Sequence, residues 1–197
     1  MKAGTRALGV AESFRVESNA PSERGRSTVA GTVVRADRVL DGVGYRRCTV
    51  GDTDATEAIC RLVDDLGRPD VRYVLIGAVA PAWYNVLDLS AVYEHAQRPV
   101  LAVTFEESEG LEAGLEDAFS GAALEERLER YRRLPERRAV SVNDETVYVR
   151  SVGLESSEGA DVVRNFTPEG GRPEPIRVAR QAARAADAYA DSLVHSG

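Results

Sequence analysis

Short apolar runs separated by polar turns open the chain. Residues 6–11 (RALGVA) read as a first strand, with Glu12-Ser13-Phe14 as its polar exit. Residues 28–35 (TVAGTVVR) form a second strand and residues 44–50 a third. Asp41-Gly42 marks the turn between those two, so the first three strands are expected to make an antiparallel meander. Residues 17–27 combine Pro, Gly, Ser and charge and read as a mobile loop.

From Gly51 the period changes. Residues 52–57 (DTDATE) carry helix-start chemistry: Thr53 or Asp54 can cap, and the acids suit a first turn. Ile59, Leu62, Val63 and Leu66 follow at helical spacing, and Gly67 ends the run. Residues 71–77 are almost continuously apolar, as a buried central strand requires. Residues 83–96 are predicted as the next helix and 99–105 as another buried strand, which makes a parallel crossover. Residues 106–138 are a Glu/Arg-rich insertion expected to form two short helices, about 110–118 and 121–133. A strand pair over residues 140–150 turns at Asn143-Asp144. A helix over 155–166, a structured loop over 167–175 and an alanine-rich helix over 175–193 complete the chain. With no internal repeat and no linker, residues 1–197 read as one α/β domain.

Composition narrows the classes. Of 197 residues, 43% are hydrophobic and 29% charged, which suits a globular chain and not a disordered one. No apolar run reaches the ~20 residues that span a bilayer. The N-terminus lacks the apolar core of a secretory signal, so a cytoplasmic location is expected and a membrane partner is not. Cys48 and Cys60 are not a C-x-x-C pair, which argues against a disulfide scaffold or a structural zinc. No G-x-G-x-x-G turn, Walker lysine loop or G-x-S-x-G elbow occurs. The net charge is −7, and Lys2 is the sole lysine beside 24 arginines. A GC-rich genome or a salt-rich cytoplasm would each produce that bias. An acidic chain can still bind nucleic acid through a local arginine patch.

Three antiparallel strands followed by parallel strands with helical crossovers is the element order of the ribonuclease H-like fold. The motifs strengthen that reading. Residues 6–14 (RALGVAESF), 51–57 (GDTDATE), 73–88 (YVLIGAVAPAWYNVLD) and 171–179 (GRPEPIRVA) together resemble an archaeal family of unknown function, numbered ninety-nine among such domains and distantly related to endonuclease V. The last motif also looks like the C-terminal loop and helix of endonuclease V itself. The resemblance is closest to haloarchaeal members, which favours the salt-rich reading. It implies metal-dependent phosphodiester hydrolysis with Mg²⁺ or Mn²⁺ held by carboxylates at the ends of the first and fourth strands. Three departures stand against that chemistry. Paired aspartates ending the first strand are replaced by Ala11 and Glu12. The Leu-Asp-Gly ending the fourth becomes Ile76-Gly77, and a histidine of the last helix becomes Arg180.

Each candidate keeps two readings. Glu12 is a surviving catalytic metal ligand or a solvated strand-end acid. Asn85 and Asp88, three apart on the expected helix, share a face that lines the cleft at the strand ends, with Asp88 as the second catalytic acid; the alternative is solvent exposure. Asp52 and Asp54 read as caps. Trp83 and Tyr84 offer a base-stacking surface or pack in the core. Arg172 belongs with Arg177, Arg180 and Arg184, the last three at i, i+3 and i+7 on one stripe. They contact nucleic-acid phosphate or pair with the abundant glutamates. Glu174 clamps Arg172 or Arg177. The leading function is therefore an endonuclease V-like protein with a degenerate metal site that binds or scaffolds nucleic acid. The alternatives are an active metal-dependent endonuclease-type hydrolase using Glu12 and Asp88, and a protein-interaction module with an Arg/Glu surface.

Overall fold

The computed structural model describes residues 1–13 and 25–194. Seven strands form one mixed sheet in the order β3-β2-β1-β4-β5-β7-β6. β1 (Arg6–Ser13), β2 (Arg26–Arg35) and β3 (Leu40–Thr49) are the expected antiparallel meander. Residues 17–24 of the expected mobile loop lie outside the described residues, and Arg26 and Ser27 already belong to β2. α1 (Ala55–Leu66) crosses back so that β4 (Val71–Ile76) lies parallel to β1, and β5 (Val100–Thr104) continues parallel to β4. β6 (Arg138–Val142) and β7 (Glu145–Val152) are a hairpin, with β7 antiparallel to β5.

Two further differences from the sequence reading bear on the turns. The β2–β3 turn lies at residues 36–39, where Arg38 adopts φ 72° and its N–H donates to the Arg35 carbonyl. Asp41 and Gly42 lie inside β3 at a register shift. The larger correction concerns residues 83–96, which are not one helix. A four-residue turn, α2 (Pro81–Tyr84), holds Ala82, Trp83 and Tyr84 at φ 48°, 57° and 60°. Residues 85–88 are irregular, and α3 (Leu89–Ala96) starts only after Asp88, whose carboxylate accepts from Ala91 N–H at 2.9 Å. Asn85 and Asp88 therefore share no helix face. The insertion forms α4 (Glu112–Ala118) and α5 (Gly121–Arg132), followed later by α6 (Ser156–Asn165) and α7 (Glu174–Val194).

Alternation along the strands divides the core between the two sheet faces. Leu8, Val10 and Val74 pack with Ile59, Leu62 and Val92 of α1 and α3. Ala7, Leu75 and Leu101 pack with Val163, Phe166 and Ile176 on the α6–α7 side. α7 enters that second face at the centre of β1. A Cβ at Gly9 would lie 2.1 Å from the carbonyl carbon and oxygen of Pro175, and one at Gly77 would lie 2.8 Å from Ile176 Cγ2. The Pro175 carbonyl accepts from Thr32 Oγ1 at 2.9 Å, which fixes the helix entry across β1 and β2. The last helix is thus seated where two glycines remove side chains from the sheet.

Gly9→Ala sets a methyl against helix backbone that has no flexible side chain to give way. It should cost about 3 kcal/mol or more in denaturant unfolding. Gly4→Ala, where a Cβ meets nothing within 4 Å, should change stability by less than about 0.5 kcal/mol. Equal stability of the two variants would refute the close seating of α7.

Candidate functional site

The parallel strands β1 and β4 end side by side, with the Gly77 N–H donating to the Val10 carbonyl at 2.9 Å. A cleft of about 570 Å³ opens beyond these ends. Its floor includes Glu12 and Gly77, and α2 forms one wall through Trp83 and Tyr84. The far wall carries Phe105, Leu111 and Tyr131, from the end of β5 and the insertion. Among the described residues four guanidinium groups, those of Arg137, Arg150, Arg172 and Arg180, line it against the carboxylates of Glu12 and Glu106.

Aromatic faces hold three of these arginines. Arg172 lies 3.9 Å over the Phe105 ring, Arg137 3.6 Å over Tyr148 and Arg150 5.6 Å over Tyr131. Arg137 also donates to the carbonyls of Ser108 and Glu106, at 2.9 and 2.5 Å, and Arg150 donates to the Pro135 carbonyl. Burial pushes the Arg172 pKa down, and the charges of Arg180 and Arg184 push it further. Burial also lowers Arg150, with Arg137 adding to the effect. Arg177 takes a different place. It is exposed and donates twice to Glu174, at 2.7 and 2.6 Å, so the clamp expected of Glu174 closes on Arg177 and leaves Arg172 to the cleft.

The Ala82–Tyr84 turn is the strained element. Three consecutive non-glycine residues in the left-handed region cost roughly 1–2 kcal/mol each. Packing holds them there. Trp83, Tyr84 and Phe119 form a ring cluster with centroids 5.2–6.2 Å apart. Arg127 lies 4.0 Å over Phe119 and donates to the Gly51 carbonyl at 2.6 Å. Gly114 of α4 leaves room for the Tyr84 hydroxyl, which a Cβ there would meet at 2.3 Å. Trp83 keeps 40% of its surface exposed and lines the cleft.

Asn85 is fully buried and acts as a connector. Its amide donates to Asp54 Oδ1 at 2.8 Å and to the Thr49 carbonyl at 3.1 Å, and its Oδ1 accepts from Ala55 N–H at 3.0 Å. The first N–H of α1 is thus capped from 30 residues away. Asp54 instead accepts from the Thr49 backbone and hydroxyl, and Asp52 accepts from Thr53 N–H at 2.9 Å. Asp88 caps α3 and is not among the groups that line the cleft. Of the residues singled out from sequence, the cleft brings together Glu12, Trp83, Tyr84, Arg172 and Arg180. Sequence reasoning missed Arg137, Arg150, Phe105 and Tyr131. Arg137, one residue before β6, meets Tyr148 of β7 only once the hairpin has formed.

Glu12 is tied down. Its Oε2 accepts from Ser27 Oγ at 2.9 Å, and it also accepts the Ala82 N–H. Burial pushes its pKa above the ordinary 4.5, while those two donors and the charge of Arg180 pull it part of the way back. Cys48 nearby is pushed up to about 12 by burial and by Asp54 and Glu12, which keeps it a neutral thiol.

A divalent cation here would need several hard oxygen ligands converging on one point. The strand ends offer Ala11, Glu12, Ile76 and Gly77, and the Ile76 side chain is packed in the core. Among the described residues no three His, Cys, Asp or Glu side chains are grouped to hold a metal. This donor set does not fit the Mg²⁺ or Mn²⁺ that the family resemblance implies.

The sequence pattern of a family described as endonuclease dU matches residues 3–187. The chain belongs to that family. A UPF0215 protein of Pyrobaculum calidifontis is 33% identical over 184 residues, covering 92% of this chain and 97% of that one. Among solved structures, a protein of unknown function from Archaeoglobus fulgidus superposes with TM-score 0.79 at 22% identity, covering 92% of this chain and 98% of that one. Endonuclease V of Ciona intestinalis, solved with a DNA containing an inosine followed by a ribo-adenosine, superposes with TM-score 0.57 at 12% identity, covering 92% and 85%. These likenesses show the endonuclease V-type, ribonuclease H-like fold expected from the sequence. Among the described residues of this family member, no helix is long and apolar enough to cross a membrane.

The raised Glu12 pKa fixes the sign of a pH effect. The folded carboxyl binds its proton more tightly than the unfolded one, so the contribution of Glu12 to stability is fully present below pH 4.5 and is lost as pH rises through the elevated folded value. Glu12→Gln should match the wild type in acid and be the more stable of the two at neutral pH in thermal melts. A less stable variant at neutral pH would mean that the Glu12 charge, held beside Arg180, stabilises the fold.

Proposed function

We propose that the protein binds single-stranded nucleic acid in the cleft at the strand ends and does not cut it. The observation that carries this reading is the lining itself: four ring-braced or helix-borne guanidinium groups beside a part-exposed Trp83, with one tied carboxylate at the strand ends. Arginines track phosphates, and aromatic faces take successive bases whatever their sequence. The shared fold with an endonuclease V solved on DNA supports the same class of ligand. The Glu/Arg surface of the insertion is largely self-paired, through Arg130–Glu126, Arg133–Glu129 and Arg132–Glu112, which leaves the cleft as the basic feature. In the salt-rich cytoplasm that the arginine bias suits, charge alone would bind weakly. Stacking on Trp83 then carries more of the affinity.

Fluorescence anisotropy with a labelled single-stranded oligonucleotide, in EDTA, tests the reading. Binding is expected with a negative salt slope of about 0.7 per phosphate contacted. Trp83→Ala should weaken it about tenfold, the loss of one stacked base, while Trp83→Phe keeps most of the affinity. Arg61→Ala, which alters an exposed pair on α1, should change nothing. Absence of binding overturns the proposal. Strand cleavage with Mn²⁺ that disappears in Glu12→Ala replaces it with the hydrolase.

A further inference from the structure

Beneath the cleft a smaller cavity of about 150 Å³ lies over the ends of β1 and β4. Ala11, Ile76 and Gly77 contribute its apolar side, and Arg172 and Arg180 reach it from the loop before α7 and from α7 itself. We propose that this cavity binds one phosphate group between Arg172 and Arg180, at the place where the family resemblance would put a metal ion. The proposal deepens the nucleic-acid reading by naming the subsite. It rests on that reading for the source of the phosphate and not for the subsite itself.

Four observations support it. The volume holds a tetrahedral oxyanion and a few waters, at about 30 Å³ for each water. Neither Arg172 nor Arg180 is within ion-pair distance of a carboxylate among the described residues, although ion pairs engage many of the other arginines. Their like charges act on each other, which an anion between them would relieve. Finally, Arg172 is held over the Phe105 ring with its Cζ 3.9 Å from the centroid, a contact that uses no N–H donor and leaves the guanidinium its donors for forked bonds to oxygen.

Among the described residues Glu12 is the one carboxylate in the cavity lining, and an anion beside a carboxylate is opposed by its charge. Its bonds to Ser27 Oγ and the Ala82 N–H occupy it, and its burial disfavours the charged form. The cavity therefore presents two cations and one acid already engaged by the fold. That balance selects an anion over a cation.

Calorimetric titration with inorganic phosphate, in EDTA, is the direct test. Wild type should bind, and Arg172→Ala and Arg180→Ala should each lose about tenfold in affinity. The double variant should lose more than either single one and depart from strict additivity, because both groups share the same ion. Arg172→Lys keeps the charge without the fork and should fall between wild type and Arg172→Ala, with thermal melts confirming that each variant folds. No heat with wild type, strictly additive losses, or binding that requires Mn²⁺ each overturns the subsite. Competition assigns the source. Phosphate that displaces the oligonucleotide makes the subsite part of the nucleic-acid path. Phosphate that binds without displacing a bound oligonucleotide leaves the subsite to free phosphate or phosphomonoesters, off the nucleic-acid path; phosphate that binds while the oligonucleotide does not bind at all keeps the subsite and overturns only the nucleic-acid reading.

Discussion

The contact of the Pro175 carbonyl with the bare backbone at Gly9 governs the architecture around the site. A helix that crosses a sheet at ordinary side-chain distance would carry its flanking loop clear of the strand ends. Here the Cβ is missing at Gly9, and the helix settles onto the strand itself, where Thr32 Oγ1 adds a hydrogen bond to the Pro175 carbonyl. Pro173 and Pro175 fix the backbone on either side of Glu174, and Glu174 pairs with Arg177 in the first turn, where an acid also suits the helix dipole. That seating places Arg172 just before the helix and Arg180 within it over the ends of β1 and β4. The arginines reach the strand ends because two glycines let the helix in.

The second constraint is the left-handed turn at Ala82–Tyr84. Its strain has to be repaid by contacts on both sides. Inside, the Ala82 N–H meets Glu12 and the Ala82 carbonyl accepts from Gly51 N–H at 2.8 Å. Outside, the Trp83–Tyr84–Phe119 cluster ties the turn to the insertion, and Arg127 closes the circuit to the Gly51 carbonyl. The insertion is thus a wall of the cleft and a clamp on the residues that line it. Glu12 joins that clamp from the strand side, since it accepts the Ala82 N–H.

Much of the fold was legible because periodicity is local. The strands β1 to β5 follow their apolar runs, α1 follows Ile59, Leu62 and Leu66, and Gly67 ends it in the left-handed conformation at φ 54°. The break within residues 83–96 was not legible, since Val86, Leu87, Leu89 and Val92 keep an apolar pattern across it and all four are buried. What breaks the helix is a set of distant partners for Ala82, Trp83 and Asn85, and no window of sequence holds them together. The cleft divides in the same way. Arg172 and Arg180 belong to one motif and could be read together. Arg137 and Arg150 join them only through pairing with Tyr148 and Tyr131, which tertiary packing supplies.

A net charge of −7 and an arginine-lined cleft are compatible because the two charge populations sit in different dielectric settings. Exposed pairs such as Arg133–Glu129 and Arg164–Asp161 are screened by salt and contribute little. Guanidinium groups pressed on aromatic rings in a recess are screened less, and their mutual repulsion is kept until an anion arrives. An exposed basic face would be silenced first as salt rises, and a recess lined by braced arginines last. For a ligand met in concentrated salt, arginines set in a small cavity would count for more than many on an open surface.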